Sequence, residues 1–383
     1  MRQSRSNLTR LRAATLIWPA VVILAGCGDS DPLAQGPDDN DEGDVVCTLD
    51  QAFLIATAVV KDGIPALNQQ AWVGADHPED IWFLEDDTRV IGITVDGAAY
   101  AVPHNLLWFH EIANVTVESG SGPLALAITF CPLTGSSMVF DRAAVGGAEF
   151  GVSGLLYKSN LIMYDRRTQE SLWPQMSSSA ECGAALGTKL SLYPSIEMTW
   201  DGWRTLHPDT RVLGSPVGIR GPYDVYPYGN YEQPYTEYTF PMPNLDTRVP
   251  PKERVLGIVE VGGVTTAFPF GTLATLAPFD AVDWPVGPGR TPGVVLWDSS
   301  RESAMAYHAV VGGDTLTFVG GVEGIVDSDT GSEWTVDGLA LSGPLEGTRL
   351  EPVRDAIVAF WGAWYAFHPG TEIWGPSKPD VTQ

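Results

Sequence analysis

The chain has 383 residues, and its 22 lysines and arginines stand against 47 aspartates and glutamates, which gives a formal net charge of −25. This acidic balance argues against a nucleic-acid partner, because phosphate binding requires a basic surface. Hydrophobic residues make up 44% of the chain, with 13 Trp, 12 Tyr and 13 Phe, so a wholly disordered chain is excluded. The length allows about two domains, and 41 Gly with 29 Pro favour many turns and short strands over long helices.

Residues 1–26 form a predicted export signal. Positive charge comes first, from Arg2, Arg5, Arg10 and Arg12. The uncharged apolar stretch 13–26 follows, and at about 14 residues it is too short to span a bilayer, which takes about 20. Residues 24–27, Leu-Ala-Gly-Cys, resemble a bacterial lipobox, in which the cysteine is acylated. Cys27 is therefore the predicted lipidation site, and an ordinary secretory signal is the alternative interpretation.

Residues 27–50 are expected to form a flexible acidic tether. Seven acidic residues lie in 28–46 among Gly, Pro, Asn and Ser, a composition that cannot bury a core. The residue after Cys27 is Gly28. An aspartate at this position would hold a Gram-negative lipoprotein at the inner membrane, so the glycine resembles the pattern of lipoproteins that are sent to the outer membrane. No later stretch reaches 18 apolar residues. We therefore expect an envelope protein, a monomer whose membrane contact is its N-terminal lipid.

Three cysteines remain once Cys27 carries lipid, so one disulfide at most can form. Cys47 lies where the tether ends, and Cys182 lies in a loop of serine, glycine and alanine. The oxidising environment of the envelope would allow these two cysteines to pair. Cys131 would then remain as a free thiol.

The rest of the sequence repeats itself. A Trp-x-x-Trp-x-x-x-His-Pro-x-Thr string begins at Trp200 and again at Trp361. Arg-Val-Ile-Gly-Ile at 89–93 recurs as Arg-Val-Leu-Gly-Ile at 254–258. Ordered matches of this kind predict an internal duplication. Its parts are a first repeat lobe at 51–213, a connector at 214–251 and a second repeat lobe at 252–383.

Each half is expected to contain a β-hairpin, further strands and one helix. Tryptophans and other apolar residues at i, i+3 and i+7 place the helices near 198–206 and 357–367. Each helix should end at its His-Pro pair, because the residue before proline is pushed out of the helical region. His207 and His368 are accordingly interpreted as structural. The predicted fold class is α+β, mainly antiparallel β, with two tandem pseudo-repeated β-rich lobes of one helix each.

The connector 214–251 is rich in tyrosine and too long for a plain loop in a compact domain. Two interpretations stay open. The connector is either an ordered strap that packs across both lobes or an aromatic wall of a binding groove, since tyrosine gives contact area at low entropic cost. For the second interpretation, the predicted ligand contacts are Tyr226, Tyr228 and Tyr231.

Two features occur in the first half only, and such one-sided features are candidates for function. One is the Trp-Phe-His-Glu segment that contains His110. The other is Cys131, which opens a Cys-Pro-Leu-Thr-Gly-Ser turn after an apolar strand and has Asp298 as its counterpart. A thiol beside the N–H groups of a turn suits a nucleophile or a soft-metal ligand, with His110 as base or second ligand. A buried, inert cysteine is the alternative.

Several strings, in order, resemble the DUF3179 family, a bacterial and archaeal domain of unknown function. They include Lys-Asp-Gly-Ile-Pro-Ala-Leu at 61–67, Trp-Phe-His-Glu-Ile at 108–112, Cys-Pro-Leu-Thr-Gly-Ser at 131–136 and Phe-Gly-Val-Ser-Gly-Leu-Leu-Tyr at 150–157. The resemblance covers about residues 55–375 and implies no reaction. It favours a functional role for residues in the family's signature segments, which are Cys131, His110 and, more weakly, Ser153, Asn160, Asp165 and Arg166.

Three functions are compatible with these residues. A copper or zinc site would use Cys131, His110 and His104, the last being a departure from the family pattern. A thiol enzyme would use Cys131 as nucleophile and His110 as base. A non-catalytic binding module, which we favour, would hold a small molecule or peptide in the tyrosine-lined cleft near Cys131 and His110, with Ser153 and Asn160 as further contacts. P-loop, zincin and nucleophile-elbow motifs are absent from the sequence.

Overall fold

The computed structural model describes residues 46–68, 70–168, 171–216, 220–260, 262–284 and 291–375. The expected export signal, the lipidation site Cys27 and nearly all of the acidic tether lie outside these residues. Within them the chain is mainly antiparallel β with four α-helices, so the predicted α+β class is confirmed. No helix in these described ranges is long and apolar enough to cross a membrane.

Both halves of the chain consist mainly of short strands. The strands of the first half are β1 (Leu54–Ala56), β2 (Leu67–Asn68), β3 (Trp72–Gly74), β4 (Arg89–Val95), β5 (Ala98–Pro103), β6 (Ile112–Ser119), β7 (Gly122–Cys131), β8 (Ser136–Asp141), β9 (Phe150–Tyr157), β10 (Asn160–Asp165), β11 (Leu172–Pro174), β12 (Ser191–Leu192), β13 (Ile196–Thr199) and β14 (Arg211–Leu213). Those of the second half are β15 (Arg254–Val259), β16 (Thr265–Pro269), β17 (Phe279–Trp284), β18 (Gly293–Asp298), β19 (Ser303–His308), β20 (Val310–Val311), β21 (Asp314–Thr315), β22 (Phe318–Gly320), β23 (Ile325–Asp327), β24 (Glu333–Trp334), β25 (Ala340–Ser342), β26 (Glu351–Pro352), β27 (Ala356–Phe360) and β28 (Glu372–Ile373). The α-helices are α1 (His104–His110), α2 (Trp200–Leu206), α3 (Phe270–Leu273) and α4 (Trp361–Phe367).

Each half contains a hairpin that is flanked in the same way. In the first half, the β4–β5 hairpin has antiparallel β13 beside β4 and parallel β14 beside β5. In the second half, the β15–β16 hairpin has antiparallel β27 beside β15 and parallel β28 beside β16. This agreement is what a duplication would produce, although the duplication itself stays a prediction.

The largest sheet joins the two halves of the sequence. Its strand order is β2-β6-β7-β8-β27-β15-β16-β28, with β12 on the side of β8. The halves meet where Ser137 of β8 lies opposite Val358 of β27. Smaller sheets have the orders β1-β9-β10-β11, β13-β4-β5-β14-β3, β17-β18-β19-β26, β20-β21 and β22-β23-β24-β25. Hydrogen bonding therefore runs continuously from one half of the chain into the other.

Buried indole rings hold the tryptophan helices in place. The ring of Trp203 in α2 is fully buried and donates its N–H to Thr210 Oγ1 at 2.8 Å. It lies on Gly92 of β4, where any Cβ would overlap the ring. Helix α4 repeats this arrangement with Trp364. Helix α2 ends before His207, whose ring lies 4.2 Å from that of Trp203, in keeping with its expected structural role.

The helices differ from the prediction in number and in where they begin, and α2 starts at Trp200 because Met198 and Thr199 belong to β13. Helices α1 and α3 are present in addition to the two expected helices, and each follows its hairpin directly after an N-cap proline. The helix predicted at 357–367 begins only at Trp361. Residues 356–360 instead form β27, because their backbone pairs with β15 and β8. Sheet pairing of this kind overrides a helical spacing of apolar residues.

Two of the hydrophobic cores contain residues of both halves. One core groups Trp203 of α2 with Leu296 and Met305 of the second-half strands. Another core groups Trp364 of α4 with Phe140 of β8. Each tryptophan helix is thus buried together with strands of the opposite half, so the two halves complete each other's cores.

A disulfide joins Cys47 to Cys182, and Cys131 is free and buried. The bonded cysteines are separated by 135 positions in the sequence. The backbone carbonyl of Cys182 also accepts the N–H of Leu172 in β11 at 3.0 Å. The disulfide therefore fastens the beginning of the described chain to the loop after β11.

Replacement of Gly92 by alanine should destabilise the fold, because the added methyl group would occupy the volume of the Trp203 ring. Overpacking of this kind lowers the free energy of unfolding by about 1–3 kcal/mol. Urea denaturation followed by circular dichroism measures the change. The control is Gly321→Ala, which has no heavy atom within 4 Å of the added Cβ and should change stability by less than about 0.5 kcal/mol. Equal losses in the two variants would contradict the packing of Trp203 on Gly92.

Candidate functional site

Cys131 is the last residue of β7, and its side chain is completely buried. The Sγ atom accepts the backbone N–H of Leu161 at 3.4 Å. The carbonyl of Cys131 accepts the N–H of Thr134 at 3.2 Å, which closes the predicted turn. Burial, and after it the neighbouring Glu111 carboxyl, raises the pKa of the Cys131 thiol to about 11. The thiol is therefore neutral at physiological pH, whereas a nucleophile or metal ligand acts as the thiolate.

Glu111, whose carboxyl helps to raise the pKa of the Cys131 thiol, was not among the predicted site residues. It is only 6% exposed, and burial raises the pKa of its carboxyl to about 8. Its φ of +56°, at the end of α1, is unfavourable for a residue that carries a side chain. The backbone is held there because its N–H donates to Leu107 O and its carbonyl accepts from Phe130 N–H, both at 2.9 Å. A buried, neutral acid on a strained backbone is typical of functional sites.

Tyrosines of the connector cover this thiol and carboxyl. The described connector residues 220–251 are termed the tyrosine strap. Tyr228 donates its hydroxyl to Trp108 O at 3.3 Å, and Tyr231 donates to Leu133 O at 3.0 Å. Tyr228 thereby contacts the Trp-Phe-His-Glu segment, and Tyr231 contacts the turn that follows Cys131. These contacts agree with the interpretation of the connector as a packing strap.

Lys252 fastens the strap. It is 1% exposed, and its Nζ donates to Tyr231 O at 2.8 Å and to Glu237 O at 2.7 Å. The same nitrogen lies 2.9 Å from the centroid of the Tyr231 ring, a cation–π contact. Burial lowers the pKa of Lys252 to about 8. Elsewhere in the strap, the ring of Tyr226 packs edge-on at 5.0 Å from that of Trp108.

His110, the predicted partner of Cys131, is engaged with other groups. Its Nδ1 lies 2.7 Å from Pro65 O, and its Nε2 lies 2.9 Å from the hydroxyl of Tyr223. A carbonyl oxygen only accepts, so Nδ1 carries the proton and Nε2 accepts from the tyrosine. Burial lowers the pKa of His110. Both ring nitrogens are thus committed, and neither serves as a base for the thiol.

His104 belongs to a buried group of charged side chains. It is buried, and its Nε2 lies 3.5 Å from Ser137 Oγ and 3.5 Å from Glu197 Oε2. Burial, followed by the charges of Arg89 and Arg254, holds the pKa of His104 well below 6.5. The imidazole is therefore neutral, and its partner is the Glu197 carboxylate rather than a thiol.

The predicted copper or zinc site lacks a ligand group within the part of the chain that the structure describes. There, the one group of three or more acidic, histidine and cysteine side chains with ligand atoms within 4.8 Å of one another is His77, Glu79 and Asp80, of which the first two are exposed. The three predicted ligands form no such group, because the histidine nitrogens face carbonyl, hydroxyl and carboxylate partners. Such exposed acidic clusters are common without a metal.

Asn160 and Ser153, two predicted ligand contacts, are bonded inside the protein. Asn160 donates through Nδ2 to Thr134 Oγ1 at 3.0 Å and to Gln175 Oε1 at 2.8 Å. Ser153 donates its hydroxyl to Ile162 O at 2.6 Å. The network around Asn160 fixes the turn after β7, so its visible role is to position that turn.

Asp165 and Arg166 also make internal contacts. Asp165 accepts the indole N–H of Trp173 at 2.9 Å and the hydroxyl of Thr168 at 2.8 Å, which fixes the turn after β10. Arg166 forms an ion pair with Asp62 at 2.9 Å. Asp165 therefore fixes a turn, and Arg166 connects the end of β10 to Asp62.

An open cavity of about 450 Å³ lies mainly in the second half, with Leu206 of α2 at its wall. It is bounded by residues 319–326, which run from β22 to β23, and by residues of β17, β24 and β25. Four aliphatic side chains at this cavity are exposed, namely Val319 (56%), Val322 (76%), Val326 (36%) and Leu341 (55%). The sequence signal that could have revealed it is the pair of valines around Gly320-Gly321, a turn without a polar residue.

Charged side chains stand at the same cavity. Asp298, which is buried, forms an ion pair with Arg301. Two carboxylates, those of Glu323 and Glu333, also line the cavity, and Glu333 accepts the hydroxyl of Ser342 at 3.1 Å. Because Arg301 is neutralised by Asp298, the remaining charge at the cavity is negative.

A family model described as a protein of unknown function, DUF3179, matches residues 61–371. The match spans most of the chain, so the protein belongs to the DUF3179 family, as the signature strings predict. Neither the curated proteins nor the solved structures gave a match. The matched range contains the covered thiol and carboxyl, the strap and the cavity of the second half.

The Glu111→Gln substitution should change how stability depends on pH. The carboxyl has a pKa of about 8 in the folded protein, against an ordinary value of 4.5. Between these values the unfolded chain has released a proton that the folded protein keeps, so the free energy of unfolding falls as pH rises. Between about pH 5 and pH 8 this one group lowers it by up to about 3 kcal/mol. The glutamine variant should lack this decrease.

Urea denaturation of both proteins across this pH range measures the difference in slope. Glu118→Gln, which alters an exposed glutamate on the adjacent strand β6, is the matched control and should keep the slope of the parent. If the Glu111→Gln protein also keeps that slope, Glu111 is ionised in the folded state and the assignment of a neutral acid is wrong.

Proposed function

We propose that this protein is a lipid-anchored protein of the cell envelope that binds an apolar small molecule without transforming it. The anchor rests on the arginine-led apolar stretch that ends at Cys27. Gly28 favours the outer membrane of a Gram-negative bacterium as the location. Binding rests on the open cavity of the second half.

The observation that supports binding is the clustering of exposed aliphatic side chains at one cavity. Val319, Val322, Val326 and Leu341 all line it. Apolar surface in contact with water is unfavourable by about 25 cal/mol per Å². Single exposed apolar residues are common, but a contiguous apolar patch indicates a contact site. The volume of about 450 Å³ also falls within the range of small-molecule sites.

The charges at the cavity limit the ligand to a neutral or cationic molecule. Arg301 is paired with Asp298, so it does not offer a free positive charge to an anion. Glu323 and Glu333 remain as carboxylates. A hydrophobic molecule with an amine or another hydrogen-bond donor would satisfy both the aliphatic wall and these acceptors.

The state of the first-half site favours binding over thiol or metal chemistry. The Cys131 thiol is buried, neutral and covered by Tyr228 and Tyr231. His110 is bonded to Pro65 and Tyr223 rather than to the thiol. A thiol enzyme needs an accessible thiolate and a base within hydrogen-bond reach. The binding module is therefore the better supported of the three functions.

Binding can be tested with N-phenyl-1-naphthylamine, an apolar amine whose fluorescence rises in an apolar environment. The parent should bind it, and a variant with both Val322→Ser and Leu341→Ser should bind it about tenfold more weakly, because the aliphatic wall is removed. Val264→Ser removes an exposed valine (44%) outside the cavity and should leave the affinity unchanged. Absence of binding to the parent, or equal affinities in all three proteins, would refute the proposed site.

Lipid attachment can be tested independently by growing cells with radiolabelled palmitate. The parent and a Cys131→Ser control should both carry the label in the outer-membrane fraction, whereas Cys27→Ser should carry none, since Cys27 is the proposed acylation site. Label that persists in Cys27→Ser would show that Cys27 is not the acylated residue. Label confined to the inner-membrane fraction would refute the proposed location.

A further inference from the structure

A second cavity, of about 370 Å³, lies in the first half and has a different character. Its lining combines one aromatic ring, that of Trp72, with polar side chains of Gln70, Thr116, Arg142 and Glu149. It shares no lining residue with the apolar cavity of the second half. An aromatic surface beside several hydrogen-bonding groups is a different chemistry from an aliphatic wall.

Arg142 lines this cavity and is held by hydrogen bonds to the backbone. The residue is 4% exposed, and its two terminal nitrogens donate to Gly147 O at 2.8 Å and to Val115 O at 3.0 Å. Its Nε is buried and has no hydrogen-bond partner among the described residues. A buried donor without an acceptor costs about 1–3 kcal/mol. The side chain is therefore held in place by the fold at the wall of the cavity.

The other polar groups add acceptors and donors around it. Arg142 and Glu149 both line the cavity, so one positive and one negative side chain stand at it. Gln70 donates through Nε2 to Asn68 O at 3.3 Å, which fixes its amide at the rim. Thr116 presents an exposed hydroxyl on β6. A ligand in this cavity meets no net charge but several hydrogen-bonding groups.

The aromatic ring is also fixed. Trp72 in β3 is half-buried, and the ring of Tyr100 packs against it with centroids 4.9 Å apart at an interplanar angle of 60°. A held indole ring offers contact area with little loss of side-chain entropy. Apolar C–H faces combined with many hydroxyls are the property of sugar rings, which can pack on the indole and bond to the surrounding polar groups.

We infer that the first-half cavity is a binding site for a neutral saccharide, with a sugar ring on Trp72 and its hydroxyls bonded to Glu149, Gln70 and Thr116. An anion is disfavoured because the carboxylate of Glu149 lines the cavity and the whole chain carries a net charge of −25. A purely apolar ligand would leave the polar groups without partners. This site is independent of the proposed binding of an apolar molecule in the second half.

The test is isothermal titration calorimetry of the full chain with maltose, cellobiose and N,N′-diacetylchitobiose. At least one disaccharide should bind. Trp72→Ala should weaken its binding about tenfold, and Trp72→Phe should restore most of it, since an aromatic face is kept. Glu149→Gln should also weaken binding, whereas Glu118→Gln, which alters an exposed glutamate of β6 outside the cavity, should not.

Each result decides the matter. Failure of all three disaccharides to bind the parent overturns the inference, as does binding that is unchanged in both Trp72→Ala and Glu149→Gln. If Trp72→Ala does not fold, as judged by circular dichroism, the Glu149→Gln protein and its Glu118→Gln control still supply the comparison. Loss of disaccharide binding in the Val322→Ser, Leu341→Ser protein would place the sugar in the second half and also overturn it.

Discussion

The arrangement of the two halves depends on the burial of Glu197 between two arginines that begin the two hairpins. Glu197 is buried, and its Oε2 lies 3.3 Å from Arg89 Nε and 3.9 Å from Arg254 Nη1. Arg254 in turn pairs with Glu232 of the tyrosine strap at 2.9 Å. A buried carboxylate is stable only when it is paired. The first hairpin, the second hairpin and the strap must therefore meet at this point, and the shared cores follow from that meeting.

Features that depend on neighbouring residues could be predicted from the sequence. The tryptophan helix that ends at His207 and the turn fixed by Asp165 arise from contacts within a few positions. Glu111 and Lys252 could not be recognised, because their burial is produced by distant segments. The hydrogen bond from Tyr228 to Trp108 spans 120 positions. The hydrophobic cores shared by the two halves could not be predicted either, because they too are formed by residues that are distant in the sequence.

The ionisable side chains of Cys131, Glu111 and Lys252 can be buried at the tyrosine strap because each is either neutral or bonded to acceptors. Burial raises the pKa values of Cys131 and Glu111 to about 11 and about 8, so both are mainly neutral near pH 7. Burial lowers the pKa of Lys252 to about 8, and its ammonium is satisfied by two carbonyls and the Tyr231 ring. As pH rises through about 8, Glu111 gains charge while Lys252 loses it. The charge that Glu111 gains in its buried position lowers the free energy of unfolding, whereas release of the Lys252 proton raises it, so the two titrations act on stability in opposite directions.

The two strand ends that the predicted duplication would pair lie in different surroundings. Strand β7 ends at Cys131, where an uncharged thiol lies beneath tyrosines and needs no counter-ion. Strand β18 ends at Asp298, where the buried carboxylate requires Arg301 as its partner. Both Asp298 and Arg301 line the open apolar cavity. The neutral end is thus compatible with complete coverage, whereas the charged end keeps its arginine at the border with water, and it is there that a cavity remains accessible to a ligand.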